Sequence, residues 1–223
     1  MAAGYRYPVG IAEAKQNMEV KKQRKGIMGG TFDPIHNGHL MLAECARRQL
    51  SLDTILFLPS GNPPHKQQRR DGATDEQRLA MVQLAIWDYP QFSLDEEEMR
   101  RGGLTYTKDT ILRLKGCEPE TEFYFIIGGD SLMAFDTWFH PDIICENCVL
   151  AAAGRDALAC ETIQRKMKEL KETLGADIVL LDFPDIQISS TELRRRCREH
   201  KSIQGLVPDA VRDYIEKNEI YGG

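Results

Sequence analysis

The chain has 223 residues, 42% of them hydrophobic and 28% charged, the balance of an ordinary globular protein long enough to bury a substantial core. No apolar run reaches the length of a bilayer span, and the first 26 residues lack the continuous apolar stretch of a secretory signal. An integral membrane protein is therefore excluded and a cytoplasmic location expected. The formal charge of −5 is unevenly placed: residues 1–25 carry Arg6, Lys15, Lys21, Lys22, Arg24 and Lys25 against only Glu13 and Glu19, so the remainder is acidic and a poor general binder of nucleic acid.

Strand-like and helix-like segments alternate along the chain. After an appended arm over residues 1–24, Lys25 to Met28 reads as a strand leading into a Gly-rich turn, and His39 to Leu50 as a helix with apolar residues at 40, 42, 43, 46 and 50. Thr54 to Leu58 is a short apolar strand that ends in the loop Pro59-Ser-Gly-Asn-Pro-Pro-His-Lys66. Thr74-Asp-Glu-Gln77 has the spacing of a capping box before the helical run Arg78 to Trp87, and Trp87 is expected in the core. Phe92 to Leu94 is read as a strand and Lys108 to Lys115 as a helix. Glu122 to Ile127 is an apolar strand that stops at Gly128-Gly-Asp130; short helices fill Ser131 to Glu146, and Cys148 to Ala153 forms the next strand. A charged amphipathic helix over Glu161 to Leu174, a strand over Ile178 to Leu181, and helices over Ser190 to His200 and Asp209 to Asn218 complete the chain. This alternation predicts one α/β domain over residues 25–223, with a mainly parallel, doubly wound, Rossmann-like sheet covered by helices on both faces. Ligands in such sheets bind beyond the carboxyl ends of the strands, where every unusual loop of this chain falls.

The six cysteines (45, 117, 145, 148, 160 and 197) are scattered without a disulfide-framework spacing and are expected as reduced thiols. Cys145-Glu-Asn-Cys148 lacks two further ligands at zinc-site spacing, and an apolar strand rather than a helix follows it.

Two constellations carry chemistry. In Gly29-Gly-Thr-Phe-Asp-Pro-Ile-His-Asn-Gly-His39, two glycines after a strand let the backbone come close to a phosphate. His36 and His39, three apart around a helix start, can approach one side of the same anion, and the helix N-terminus adds free N–H groups there. A metal held by His36, His39 and a third ligand is disfavoured, because Asp33, between Phe32 and Pro34, reads as a loop brace. The second constellation is Ile188-Ser-Ser-Thr-Glu-Leu-Arg194, again a strand end before a helix. Its hydroxyls and the planar fork of Arg194 suit phosphate oxygens, the alternative for Ser189 to Thr191 being a plain helix cap. Arg195, Arg196, Arg198 and Lys201 read as a solvated helical face.

These two motifs resemble the nucleotidyltransferases related to class I aminoacyl-tRNA synthetases. Three further segments, Ser60-Gly-Asn-Pro-Pro-His-Lys66, Thr105-Tyr-Thr107 and Phe125-Ile-Ile-Gly-Gly-Asp-Ser-Leu through Trp138, are similar to bacterial nicotinate-nucleotide adenylyltransferases, in that family's order from about Lys25 onward. The resemblance implies transfer of AMP from ATP to nicotinate mononucleotide, giving deamido-NAD and pyrophosphate by in-line attack without a covalent enzyme intermediate. It implies that His36 and His39 contact the α and β phosphates, and that Gly29, Gly30, Thr31 and Phe32 with Ser189, Ser190, Thr191 and Arg194 bind ATP, Arg155 lying near adenine. Lys66 is implied near the mononucleotide phosphate, and Thr107, Asp130 and Trp138 around the nicotinate ribose and ring, with Trp138 stacking on the pyridine. The bland alternatives are a core tryptophan, a helix-capping Asp130 and a solvated Lys66. Mg²⁺ is implied as an ion carried with ATP, with none held by protein side chains. The implied partners are these two substrates, with no nucleic acid and no membrane; assembly into a homo-oligomer is left open. The rival readings are a related transferase acting on nicotinamide mononucleotide or phosphopantetheine, and a nucleotide sensor without turnover.

Overall fold

The computed structural model describes residues 22–61, 72–154, 161–184 and 186–222. Lys66, Arg155, Cys160 and nearly all of the N-terminal arm lie outside these residues. The six described strands are β1 (Arg24–Gly30), β2 (Thr54–Pro59), β3 (Phe92–Leu94), β4 (Glu122–Ile127), β5 (Val149–Gly154) and β6 (Ile178–Asp182). They form one sheet in the order β3-β2-β1-β4-β5-β6, with every neighbouring pair parallel. Chain direction across the sheet reverses between β1 and β4, which makes the space beyond their carboxyl ends the natural ligand crevice.

Helices α1 (Asn37–Gln49), α2 (Asp75–Ile86), α3 (Glu97–Arg101), α4 (Thr107–Cys117), α5 (Gly129–Met133), α6 (Pro141–Asn147), α7 (Glu161–Leu174), α8 (Ser190–Arg198) and α9 (Asp209–Lys217) lie between and after the strands. The strand pleat sorts the core into two layers. Met28, Ile55, Phe57 and Ile126 face one layer with residues of α1, α2, α8 and α9; Ile27, Leu58, Phe125 and Ile127 face the other with residues of α4, α6 and α7. A sheet buried on both faces explains why its strands read as near-continuous apolar runs.

Several expected boundaries hold closely, and the Thr74 box forms: Thr74 Oγ1 accepts the Gln77 N–H at 3.2 Å and Gln77 Oε1 accepts the Thr74 N–H at 2.8 Å. Three differences have physical causes. Strand β1 begins at Arg24, whose N–H reaches Asp53 at 2.8 Å and whose side chain donates to Glu122 at 2.9 Å, so this residue belongs to the sheet. Helix α3 has no apolar periodicity to announce it; it is held from outside, with Asp95 Oδ1 accepting the Glu97 N–H at 2.9 Å and Arg113 paired to Asp95. Trp87 is a correction: it is 78% exposed, because Met81, Val82, Ala85 and Ile86 take the inward face of α2 and the helix ends before the chain turns back.

The stability consequences separate cleanly. Trp87→Ala should change the unfolding free energy by less than about 0.5 kcal/mol, as expected for a surface position. Phe57→Ala, fully buried in the centre of the sheet, should cost about 3–5 kcal/mol. Denaturant melts of the two variants check both values.

Candidate active site

The site is built on the turn after β1. Gly30 fits closely: a Cβ there would stand 3.0 Å from the Phe32 ring, which would have to give by a few tenths of an ångström. Phe32 adopts a left-handed backbone conformation (φ 49°), costing about 1 kcal/mol or more for a non-glycine residue. Its ring is buried and packs on Phe57 at 5.8 Å and edge-on to His39 at 5.1 Å, which holds the turn in that shape. The Phe32 side chain is thus a floor beneath His39 and does not line the cleft described below.

Helix α1 starts at Asn37, two residues before the expected start, with His36 as its N-cap. The His36 N–H donates to His39 Nδ1 at 3.2 Å, so the neutral His39 ring carries its proton on Nε2. The two imidazoles stack with centroids 3.6 Å apart and planes inclined by 23°. Gly38 makes the stack feasible, since a Cβ at this position would lie 3.1 Å from His36 Nδ1. That Nδ1 is buried and has no hydrogen-bond partner among the described residues. Burial pushes His36 down to about 4, and burial together with the nearby His36 charge pushes His39 well below the ordinary imidazole value. At neutral pH both rings are uncharged, because two buried imidazoles in contact cannot both accept a proton without large cost.

Beside this pair opens a cleft of about 520 Å³ between the carboxyl ends of β1 and β4. It brings together Gly29, Gly30, Thr31, His39, Thr107 and Trp138 from the expected set. Trp138 packs on Phe135 at 5.3 Å and edge-on to Phe125 at 5.9 Å, is only partly buried, and lines the cleft. Asp130 lies in the first turn of α5, exposed, outside the cleft lining; the N-cap of that helix is Gly128, so Asp130 is not a capping residue.

The second constellation lies behind the turn. Ser189 caps α8, accepting the Glu192 N–H at 3.2 Å, and Ser190 Oγ donates to the Pro34 carbonyl at 2.9 Å. Arg194 is 5% exposed; one nitrogen donates to the Asp33 carbonyl at 2.6 Å and another to Thr191 Oγ1 at 3.2 Å. In this structure the fork of Arg194 is engaged with protein, and none of Ser189, Ser190, Thr191 and Arg194 lines the cleft between β1 and β4. Asp33 is the brace its position suggested: its Oδ1 accepts the Ala73 N–H at 3.0 Å and the Tyr221 hydroxyl at 2.7 Å. Arg195, Arg196 and Lys201 pair with Glu192 and Glu199 on the outer face of α8.

Sequence reasoning missed four groups here. Tyr106 and Phe139 pack on the cleft wall with ring centroids 4.4 Å apart and planes tilted by 37°, and Phe139 is 47% exposed. Glu98 is buried, lines the cleft and accepts the Thr110 hydroxyl at 2.5 Å; burial pushes its carboxyl up. Arg78, also buried, donates from one nitrogen to the carbonyls of Thr31 at 2.7 Å and Ser60 at 2.9 Å, joining the two loops that follow β1 and β2. Its signal was present, an arginine beside the apolar run Leu79-Ala-Met-Val82. Among the described residues, no group of three or more His, Cys, Asp or Glu is placed to hold a metal ion.

A family model described as cytidylyltransferase-like matches residues 27–196. A probable nicotinate-nucleotide adenylyltransferase of Lachnoclostridium phytofermentans is 46% identical over 199 residues, covering 89% of this chain and 99% of that protein. A second, of Clostridium tetani, is 38% identical over 200 residues, with the same coverage. The chain belongs to the nicotinate-nucleotide adenylyltransferase family. Among solved structures, the Plasmodium falciparum nicotinic acid mononucleotide adenylyltransferase complexed with NaAD is similar with a TM-score of 0.72 at 21% identity, covering 89% of this chain and 97% of that one. At that identity the likeness speaks for the shared fold alone.

Two expectations follow. Because both histidines are depressed, the unfolded chain protonates first as pH falls: the stability they contribute is present above the unfolded value near 6.5 and is lost as pH falls toward about 4. Ring signals of His36 and His39 in NMR spectra of the ligand-free protein should stay in the neutral form from about pH 8 to about 5; a midpoint near 6.5 for either would contradict the buried pair. Burial also pushes the Cys145 thiol up to about 11 and Cys148 to about 12, so neither is a thiolate at neutral pH. Converting both to Ser should leave turnover and bound-metal content unchanged, measured by steady-state assay and elemental analysis.

Proposed function

We propose that the protein transfers the adenylyl group of ATP to nicotinate mononucleotide, releasing pyrophosphate and forming deamido-NAD. The observation that carries this reading is the joining, in one cleft, of a glycine turn with a buried neutral histidine at one end and an aromatic wall with a helix start at the other.

In the proposed reaction an oxygen of the mononucleotide 5′-phosphate forms a bond to the α-phosphorus of ATP. The bond from that phosphorus to the bridging oxygen breaks, and pyrophosphate leaves with the electron pair. The nucleophile is already an anion, so no general base is needed, and positioning and charge stabilisation supply the acceleration. Neutral imidazoles suit this work as N–H donors: they stabilise oxygen charge that grows in the transition state without committing a proton. His39, with Nε2 carrying its proton, is the principal donor in this proposal, and His36 the second. In this proposal Gly29, Gly30, Thr31 and the backbone of Phe32 line the phosphate path. Ser189, Ser190, Thr191 and Arg194, which stand behind the turn and outside the cleft, bind ATP once substrate draws the Arg194 fork from the Asp33 carbonyl, and Arg155 is assigned to adenine. Mg²⁺ is proposed to arrive on the triphosphate, since the side chains of the described residues do not form a metal cage.

At the other end, Trp138 stacks on the pyridine ring and Lys66 meets the mononucleotide phosphate, with Asp130 on the ribose side. At the start of α4 the Asp109 N–H already bonds the Tyr106 carbonyl at 3.0 Å, so the N–H groups of Thr107 and Lys108 are the ones proposed to meet the substituent of the ring. Donors of this kind favour a carboxylate over a neutral amide, because charge-assisted hydrogen bonds exceed neutral ones by about 1 kcal/mol each.

Incubation with ATP, Mg²⁺ and each mononucleotide, followed by pyrophosphate release, tests the reading. The kcat/KM for nicotinate mononucleotide should exceed that for the nicotinamide form by at least about 100-fold; equal values would move the protein to dual specificity. His39→Ala should lower kcat by at least about 100-fold with a smaller effect on ATP binding, and Trp138→Ala should impair both mononucleotides alike.

A further inference from the structure

The turn that carries the histidines is held from behind by a segment far away in sequence. Tyr221, four residues after the end of α9, is 6% exposed, and its hydroxyl donates to Asp33 Oδ1 at 2.7 Å across 188 residues of chain. The same oxygen accepts the Ala73 N–H, while Arg194 holds the Asp33 carbonyl at 2.6 Å and stands 3.7 Å from Oδ2. Asp33 itself is buried, at 7% exposure, so its carboxylate orientation is set by these protein donors. Two further bonds tie the following residues to the same region: Ser190 Oγ to the Pro34 carbonyl, and the Asn37 N–H to the Leu206 carbonyl at 2.9 Å. His36 lies between those two anchor points and His39 one turn later. Nothing in the proposed reaction uses Tyr221, yet it supplies one of the two hydrogen bonds that fix Oδ1.

We propose that Tyr221 is a positioning residue: by holding the Asp33 carboxylate it sets where the His36–His39 pair stands, and so serves the phosphate half of the cleft alone. The restriction to one half follows from the packing. Tyr221, Met28, Phe32 and Leu40 belong to one core layer, whereas Ile111 behind the start of α4, and Phe135 beneath Trp138, belong to the other. Loss of the hydroxyl leaves the ring in its place and the carboxylate one donor short. The carboxylate then turns toward Arg194, already 3.7 Å away, and the turn between Phe32 and His36 follows it.

The inference rests on the adenylyl-transfer reading for its kinetic arm and carries a second arm that does not need turnover. In the full chain, Tyr221→Phe should lower kcat about tenfold and leave the KM for nicotinate mononucleotide within about twofold, the split expected when only the transition-state donors are misplaced. Asp33→Asn, which keeps an acceptor oxygen but loses the charge, should show the same split. The double variant should lose no more than the worse single one, since both act through one contact. Independently, the NMR ring signals of His36 and His39, assigned with His36→Asn and His39→Asn, should move in Tyr221→Phe while that of His140 stays. Unchanged kcat with unmoved ring signals overturns the proposal, as do fully additive losses or a mononucleotide KM raised by the same factor as kcat falls. Should the unmodified protein release no pyrophosphate with any mononucleotide, the adenylyl-transfer reading fails, and the ring signals alone decide the role of Tyr221.

Discussion

A carboxylate buried behind a reactive turn is costly unless donors and a counter-charge surround it, and Asp33 has both: two hydrogen bonds to Oδ1 and the Arg194 guanidinium 3.7 Å from Oδ2. The carboxylate draws in a backbone N–H from the segment before α2 and a hydroxyl from beyond α9, and the Asp33 backbone carbonyl draws in a guanidinium from α8. Three parts of the chain that share no local sequence are thereby obliged to converge on the residue between Phe32 and Pro34. The left-handed Phe32, the cap of α1 and the stacked imidazoles all sit within six residues of that point. The turn is therefore imposed by tertiary donors more than by its own two glycines.

The sheet distributes the remaining work. Because neighbouring side chains on β1 and β4 face opposite layers, the crevice between their ends is bordered by one layer on the phosphate side and by the other on the aromatic side. Each half of the cleft has its own supporting core. His39 rests on Phe32 and through it on Phe57; Trp138 rests on Phe135 and Phe125. The two supports meet only at the sheet itself, which permits one half to be adjusted without disturbing the other.

How much of this could be read beforehand depends on what kind of force fixes each residue. Strand β4 and helix α7 were legible to the residue, since uninterrupted apolar runs and a strong amphipathic period are local signals. The start of α1 was not, because its cap is a histidine rather than a residue that favours caps. The short α3 escaped because its hold comes from Asp95 and its neighbours. The motif set Arg194 apart from its solvated neighbours Arg195 and Arg196, but only the packing reveals that its fork is buried and engaged with Asp33 and Thr191. The histidine pair was legible through its spacing, but its neutrality is a product of burial, which spacing does not encode. Trp87 failed in the opposite sense: a large apolar residue next to an apolar face was placed on it, when one step of a helix rotates a side chain by about 100°.

Arg78 and Glu98 are two buried groups of opposite charge that never touch, and the peptide between Ser60 and Gly61 stands between them. Its carbonyl accepts from the guanidinium at 2.9 Å, and its N–H is directed at the carboxyl of Glu98, which that contact helps to hold ionised against the pull of burial. Gly61 fits there only without a side chain, as a Cβ would come within 2.5 Å of the Glu98 carbonyl. A peptide unit has a dipole of about 3.5 debye, and here its positive end faces the anion and its negative end the cation. The plane thus works as a molecular relay that couples two desolvated charges at a distance.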